Sequence, residues 1–231
     1  MFACAAFTEQ VRSDIRSETA GILRQETAGR EGVLVLGGSP AGDGLMLTAW
    51  YDSLTVWRES PEGRLAPDTD GLLGGQWRGR VSANGSTVVG VAPFVPEEIA
   101  EVAELQGVLE DFLPRLPERV LRPGAVDSPS SGRAIRRLGD GAGGTQRYSW
   151  VVRGVTDTAM LHQDTVSIPL RRRVEEEGSM EWDPIRGPLR WERRLTLEAR
   201  VSARGPIRRG INSVIVQQIR VARQPGETRC R

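Results

Sequence analysis

A chain of 231 residues with 31 arginines, 30 acidic residues, one histidine and no lysine carries a net charge of +1, so no global field draws it to nucleic acid or an acidic bilayer. That length can bury a sizeable core in one domain, and no run of about 20 apolar residues is present to cross a membrane as a helix. Two cysteines outside any CxxC pair and a single histidine exclude a zinc cluster.

Cys4 and Cys230 stand near opposite ends. They are compatible with idle thiols, with a disulfide joining the ends, or with lipid modification of Cys4. Residues 8–30, TEQVRSDIRSETAGILRQETAGR, are charged and weakly periodic. A helix could be lined by Val11, Ile15 and Ile22, but the Ser and Thr content favours an edge strand. EGVLVLGG is a short buried strand closed by glycines, and residues 45–60, LMLTAWYDSLTVWRES, read as a long one. After the breaker-rich SPEGRLAPDTDGLLGG, Asn84-Gly85 sits between two apolar runs. Both residues accept positive φ, as a two-residue hairpin turn requires.

The period then changes. Ile99, Val102, Leu105, Leu109, Phe112 and Leu113 fall three or four apart between Pro96 and Pro114, which predicts one helix over 96–113. Its exposed side carries Glu97, Glu101, Glu104 and Asp111 and no basic residue.

LGDGAGGT (138–145) contains G-x-G-x-x-G, but the strand-like RYSWVV follows where a dinucleotide site needs a helix. A turn is the better reading. His162 and Asp164 would share one face of a strand as a proton-relay pair, yet no nucleophile motif accompanies them. VEEEGSMEWD, with Glu175, Glu176, Glu177, Glu181 and Asp183, lacks the glycine-centred spacing of a calcium loop. It reads as a solvated hairpin tip paired with Arg171, Arg172 and Arg173.

The longest signal is LRWERRLTLEARVSAR (189–204). Leu189, Trp191, Leu195, Leu197, Ala199, Val201 and Ala203 alternate with Arg190, Glu192, Arg194, Thr196, Glu198, Arg200, Ser202 and Arg204. Such alternation is a strand with one buried face, and Arg193 on the apolar side predicts a bulge or bend near it. INSVIVQQIRVAR is a last strand. Together these elements predict a mainly β single domain, 1–231, with short terminal arms: an antiparallel open barrel or sandwich of roughly eight to eleven strands with one covering helix.

The order YDSLTVWRES, GGQWRGRVSANGSTVVG, a helix leaving through FLPRLPERVLRPG, and then arginine-rich alternating strands resembles secreted or lipoprotein-like β-rich proteins of gemmatimonad bacteria over residues 40–222. Such proteins carry Asp-x-Trp after the helix exit; here Ala125-Val126-Asp127 departs from it. The resemblance implies a fold akin to half-barrel lipoprotein carriers and a periplasmic or extracytoplasmic location. It implies no catalytic residue.

Guanidinium groups suit interfaces, because their planar fork pairs with carboxylates and stacks on aromatics. Arg190, Arg194, Arg200 and Arg204, and opposite in charge Glu97, Glu101 and Glu104, are therefore candidate interface residues. The expected function is a non-enzymatic extrinsic subunit docking on a membrane protein complex, for which the resemblance to gemmatimonad proteins implies a photosynthetic reaction centre–light-harvesting assembly as the host. The alternative is a periplasmic carrier holding a lipid or acyl chain inside the half-barrel. A carrier needs an apolar cavity of hundreds of Å³, whereas a docking subunit can be packed solid. No cofactor, metal or nucleic-acid partner is expected.

Overall fold

The computed structural model describes residues 4–42, 44–81, 87–113, 116–117, 119–128, 132–162, 166–203 and 209–226, the side chains of 87–89, 111, 159–162 and 166–167 excepted. Its strands form one antiparallel sheet of 12. From the centre, β1 (Ala5–Thr19), β2 (Ile22–Ala41), β3 (Gly44–Ser60) with the short β4 (Gly63–Leu65) on its end, β5 (Trp77–Val81) and β6 (Thr87–Val91) step outward to one edge. Residues 92–125 then cross one face. From the opposite edge, β7 (Val126–Asp127), β8 (Arg133–Asp140), β9 (Gln146–His162), β10 (Val166–Asp183), β11 (Gly187–Val201) and β12 (Ile211–Arg223) step back until β12 lies beside β1. The edge strands β6 and β7 do not pair with each other, so the sheet is open.

This corrects the expected eight to eleven strands. The additional strands are β4 and β7, three and two residues long, in segments whose Gly and Pro content hides them. The glycine-rich LGDGAGGT is a turn between β8 and β9, with Gly143 at φ 67° and Gly144 at φ 80°. At the β1–β2 turn, Ala20 and Gly21 have φ 58° and 79°, values that a two-residue hairpin needs. The turn expected at Asn84-Gly85 lies outside the described residues; the strands on either side, β5 and β6, do pair antiparallel.

Long strands keep one face buried only if their alternation is reset where the sequence slips. On β3, Leu47, Ala49 and Tyr51 are followed by Leu54 and Val56, out of phase by one residue. The pairing shifts from Val33↔Ser53 to Leu34↔Tyr51, leaving Asp52 as the extra residue, and all five side chains are buried on the same side. The bulge expected at Arg193 is absent. β11 keeps regular register with both neighbours through that residue, because Arg193 turns to the apolar face and lies buried 3.9 Å from Glu176. Nor do Glu175 to Asp183 form a hairpin tip: they lie within β10, and the turn is Pro184 to Arg186.

The core lies on the face that carries Phe7, Leu34, Tyr51, Trp77, Trp150, Trp191 and Ile219. Residues 92–125 cover part of that face as a lid; it is termed the lidded face and its reverse the open face. Instead of one helix over 96–113, the lid has two short helices, α1 (Glu97–Ala100) and α2 (Val108–Phe112). Between them the Glu104 carboxylate accepts the Gln106 N–H at 2.7 Å, and Gly107 precedes α2, so the chain turns rather than continuing the helix. Most of the expected inward residues are nevertheless buried, namely Ile99, Val102, Leu105, Leu109 and Phe112, joined by Val108, while Leu113 is half-buried.

A segment with so little helix leaves backbone carbonyls in need of donors. The sheet supplies them. Trp77 Nε1 donates to Leu105 O at 2.8 Å, Arg30 Nη1 to Glu104 O at 3.0 Å, Arg58 Nη1 to Glu101 O at 2.9 Å, Arg133 Nη2 to Leu116 O at 2.7 Å and Arg137 Nη1 to Leu121 O at 2.7 Å. The long arginine stem spans the gap between sheet and lid while its head stays hydrogen-bonded. Lid and sheet also meet through Phe112, whose ring packs edge-on against Phe7 and Trp191 with centroids 5.4 and 4.9 Å away.

Candidate ligand-binding face

Cross-strand register turns the lidded face into rows of side chains. One row runs Arg30, Val11, Ile219, Arg193, Gly178, Trp150 and Ile135 across β2, β1, β12, β11, β10, β9 and β8. It is covered, and its charges are paired. The Glu9 carboxylate, fully buried on β1, receives Arg30 Nη2 at 3.0 Å, Arg30 Nε at 3.2 Å and the Tyr51 hydroxyl at 2.5 Å. Burial and the adjacent Glu9 charge push the Tyr51 hydroxyl well above its ordinary pKa of 10.0, so it stays a donor to that carboxylate. Farther along, Trp150 Nε1 donates to Glu176 at 2.8 Å while Arg193 lies on its other side. Gly178 makes room: a Cβ there would lie 2.2 Å from the Trp150 ring.

Beyond the lid the same face continues with a different content. Past the row Ser13, Gln217, Leu195 and Glu176 comes Ile15, Ile215, Leu197 and Val174 on β1, β12, β11 and β10. Then come Ser17, Ser213, Ala199 and Arg172, and after them Thr19, Ile211, Val201 and Leu170. No register shift interrupts β1, β12 or β11 here, so every side chain in these rows leaves the sheet on one side. All the aliphatic members are half-buried, and none of them belongs to the buried core cluster or is packed against it. Two rows of mostly branched side chains thus flank a row of small ones that ends on Arg172, an arrangement termed the trough, which runs across the strands.

Apart from a small buried cluster of Cys4, Ala6, Val35 and Trp50, the open face carries charges that pair with one another. Arg190 Nε lies 2.8 Å from Glu181, Arg173 2.7 Å from Glu175, Arg171 3.9 Å from Asp157 and Arg200 3.8 Å from Glu198. Grooves of about 640 and 740 Å³ have mixed linings, with Gln10, Glu192 and Arg220 beside Leu138, Met180 and Trp191 in one, and Asp14, Arg16 and Glu59 beside Val214 and Val216 in the other.

The candidate interface residues do not form one site. Arg190, Arg194 and Arg200 are exposed on the open face, Glu97, Glu101 and Glu104 are exposed on the lid over the other face, and Arg204 lies outside the described residues. Cys4 is buried and disulfide-bonded; Cys230 lies outside the described residues, as do the side chains of His162 and Asp164. Among the described residues, no three His, Cys, Asp or Glu side chains gather as a metal site. Period two in each strand marked the aliphatic positions of the rows, but no sequence signal aligned them across four strands.

No protein-family model and no curated protein matches this sequence. A solved structure of lipovitellin, described by its lipid–protein interactions, matches with a TM-score of 0.51 at 11% identity. The match covers 100% of this chain and 26% of that one, so the chain spans about a quarter of the length of the protein it resembles in fold.

Proposed function

We propose that the chain holds a lipid acyl chain on the uncovered part of its lidded face and works as a carrier, without catalysing a reaction. The observation behind this reading is the contiguous set of half-exposed aliphatic side chains from Ile15, Ile215, Leu197 and Val174 to Ile211, Val201 and Leu170. Contiguous apolar surface left in water marks a place where a ligand or partner sits. Lipovitellin, which has a comparable fold over the matched length, is a protein described by its lipid–protein interactions, and this favours a lipid. The expected position under the lid moves outward. Phe7, Phe112, Trp191, Leu105, Val108 and Leu109 fill the described space between lid and sheet.

The disulfide at Cys4 supports an extracytoplasmic compartment, where such bonds persist. Solid packing beneath the lid also suits the second reading, a subunit docked on a membrane protein complex, whose partner would then cover the same aliphatic rows. Mild purification of the native chain followed by mass spectrometry under native conditions tests both. Recovery with bound lipid, lost in the Leu197→Glu variant, supports the carrier. Recovery with a stoichiometric protein partner and without lipid would establish the docked subunit instead.

A further inference from the structure

The run Arg171, Arg172 and Arg173 on β10 divides between the two faces. Arg171 and Arg173 reach the open face, where Asp157 and Glu175 meet them. Arg172 projects from the lidded face at one end of the trough and is exposed. Its direct cross-strand neighbours are Ala199 and Thr156, its neighbours along β10 are Leu170 and Val174, and the diagonal positions are Leu197, Val201, Gly154 and Thr158. None of these eight is acidic. Among the described residues Arg172 has no ion pair, in contrast with the arginines on either side of it.

A guanidinium beside an apolar trough is complementary to an anion carrying an apolar tail. Resting on the acyl-chain reading above, we propose that Arg172 binds the carboxylate of a long-chain fatty acid whose tail lies across the strands over Ala199, Ser213 and Ser17. At about 4.8 Å between strands, the trough from β10 to β1 is roughly 14 Å long, so an extended long-chain tail would fill it and reach past β1 toward β2. The other cation of the row, Arg24 on β2, faces Ser17 at the far end, about 19 Å from Arg172 by the same spacing, with Glu26 two residues along its strand. One anionic group therefore meets one guanidinium, a balance that fits a carboxylate better than a phosphate dianion.

Fluorescence titration of the full chain with cis-parinaric acid, and separately with its neutral methyl ester, tests the assignment in the wild type, Arg172→Gln and Ala199→Leu. A charge-assisted hydrogen bond predicts that the acid binds roughly 10-fold or more tighter than the ester and that Arg172→Gln removes this advantage while leaving ester binding unchanged. Ala199→Leu, which fills the floor, weakens both probes; Ser213→Leu repeats the test if the first variant melts early. Equal affinity for acid and ester in the wild type, or acid binding untouched by Arg172→Gln, overturns the carboxylate assignment and leaves the acyl-chain reading standing. Binding of neither probe overturns both. Tighter binding of a lysophosphatidic acid than of the fatty acid, lost in Arg172→Gln, overturns the choice of carboxylate in favour of a phosphate headgroup.

Discussion

The covered and uncovered parts of the lidded face are built by the same strands, yet each departs from the usual rule of burial in its own way. Under the lid lie Glu9, Arg30, Glu176 and Arg193, all at most 6% exposed. Past the lid, isoleucines, leucines and valines stand half in water. Charge is tolerated inside because each buried ion has partners: Glu9 accepts from Arg30 and Tyr51, and Glu176 accepts from Trp150 with Arg193 beside it. What is buried here is decided by what the lid reaches. The rows beyond it keep aliphatic side chains that folding of the described chain does not cover.

Variants at matched positions can break this contrast. Glu9→Gln leaves the Arg30 charge buried with a weakened partner, and a loss of about 3–5 kcal/mol is expected by denaturant unfolding. Arg172→Gln, also on the lidded face but uncovered, should change stability by no more than about 0.5 kcal/mol. Phe112→Ala empties the contact with Phe7 and Trp191 and is expected to cost about 3–5 kcal/mol. Leu197→Ala, half-buried, should cost only about 1 kcal/mol. A loss at Leu197 as large as that at Phe112 would mean that the uncovered rows carry core packing, and the contrast would collapse.

Gly178→Ala tests the covered part from the backbone side. The added methyl would meet Trp150 at 2.2 Å, so the ring must shift away from Glu176, and about 1–3 kcal/mol should be lost, visible as a lower midpoint in thermal unfolding.

The smallest effect concerns the β10–β11 turn. The Arg186 and Ile185 backbone N–H groups and the Arg186 guanidinium hold the Asp183 carboxyl at about 2, below the ordinary 3.8. A carboxylate with a depressed pKa in the fold stabilises it above the unfolded value, and that contribution fades as pH falls through the folded one. Wild type and Asp183→Asn should therefore differ near neutral pH and converge between pH 3.8 and about 2. Unchanged separation across that window would remove Asp183 as the turn's acid-sensitive group.

Much of the fold was legible because most strand pairs are neighbours in sequence. Trp191 to Val201 alternates strictly apart from Arg193, and residues 45–60 hold enough Trp, Tyr, Val and Leu to stand as β3. Arg193 misled because a lone charge on an apolar face reads as a slip, whereas its partner Glu176 sits on another strand. The 96–113 helix misled for a related reason. Its apolar spacing was right, since the sheet buries those residues, but carbonyl groups that a helix would have satisfied internally are satisfied by Arg30, Arg58 and Trp77. The trough was invisible, because four separate strands contribute three residues each.

The sequence by itself determined which residues alternate, that the sheet is antiparallel and that a segment of different period interrupts it, because pleat and turn chemistry are local. Only the tertiary structure decided that β1 lies beside β12, how far the lid extends, and hence which charges are buried in pairs and which aliphatic rows stay open. Those outcomes depend on contacts between residues more than two hundred positions apart, as from Ser13 to Gln217, and no local preference encodes them.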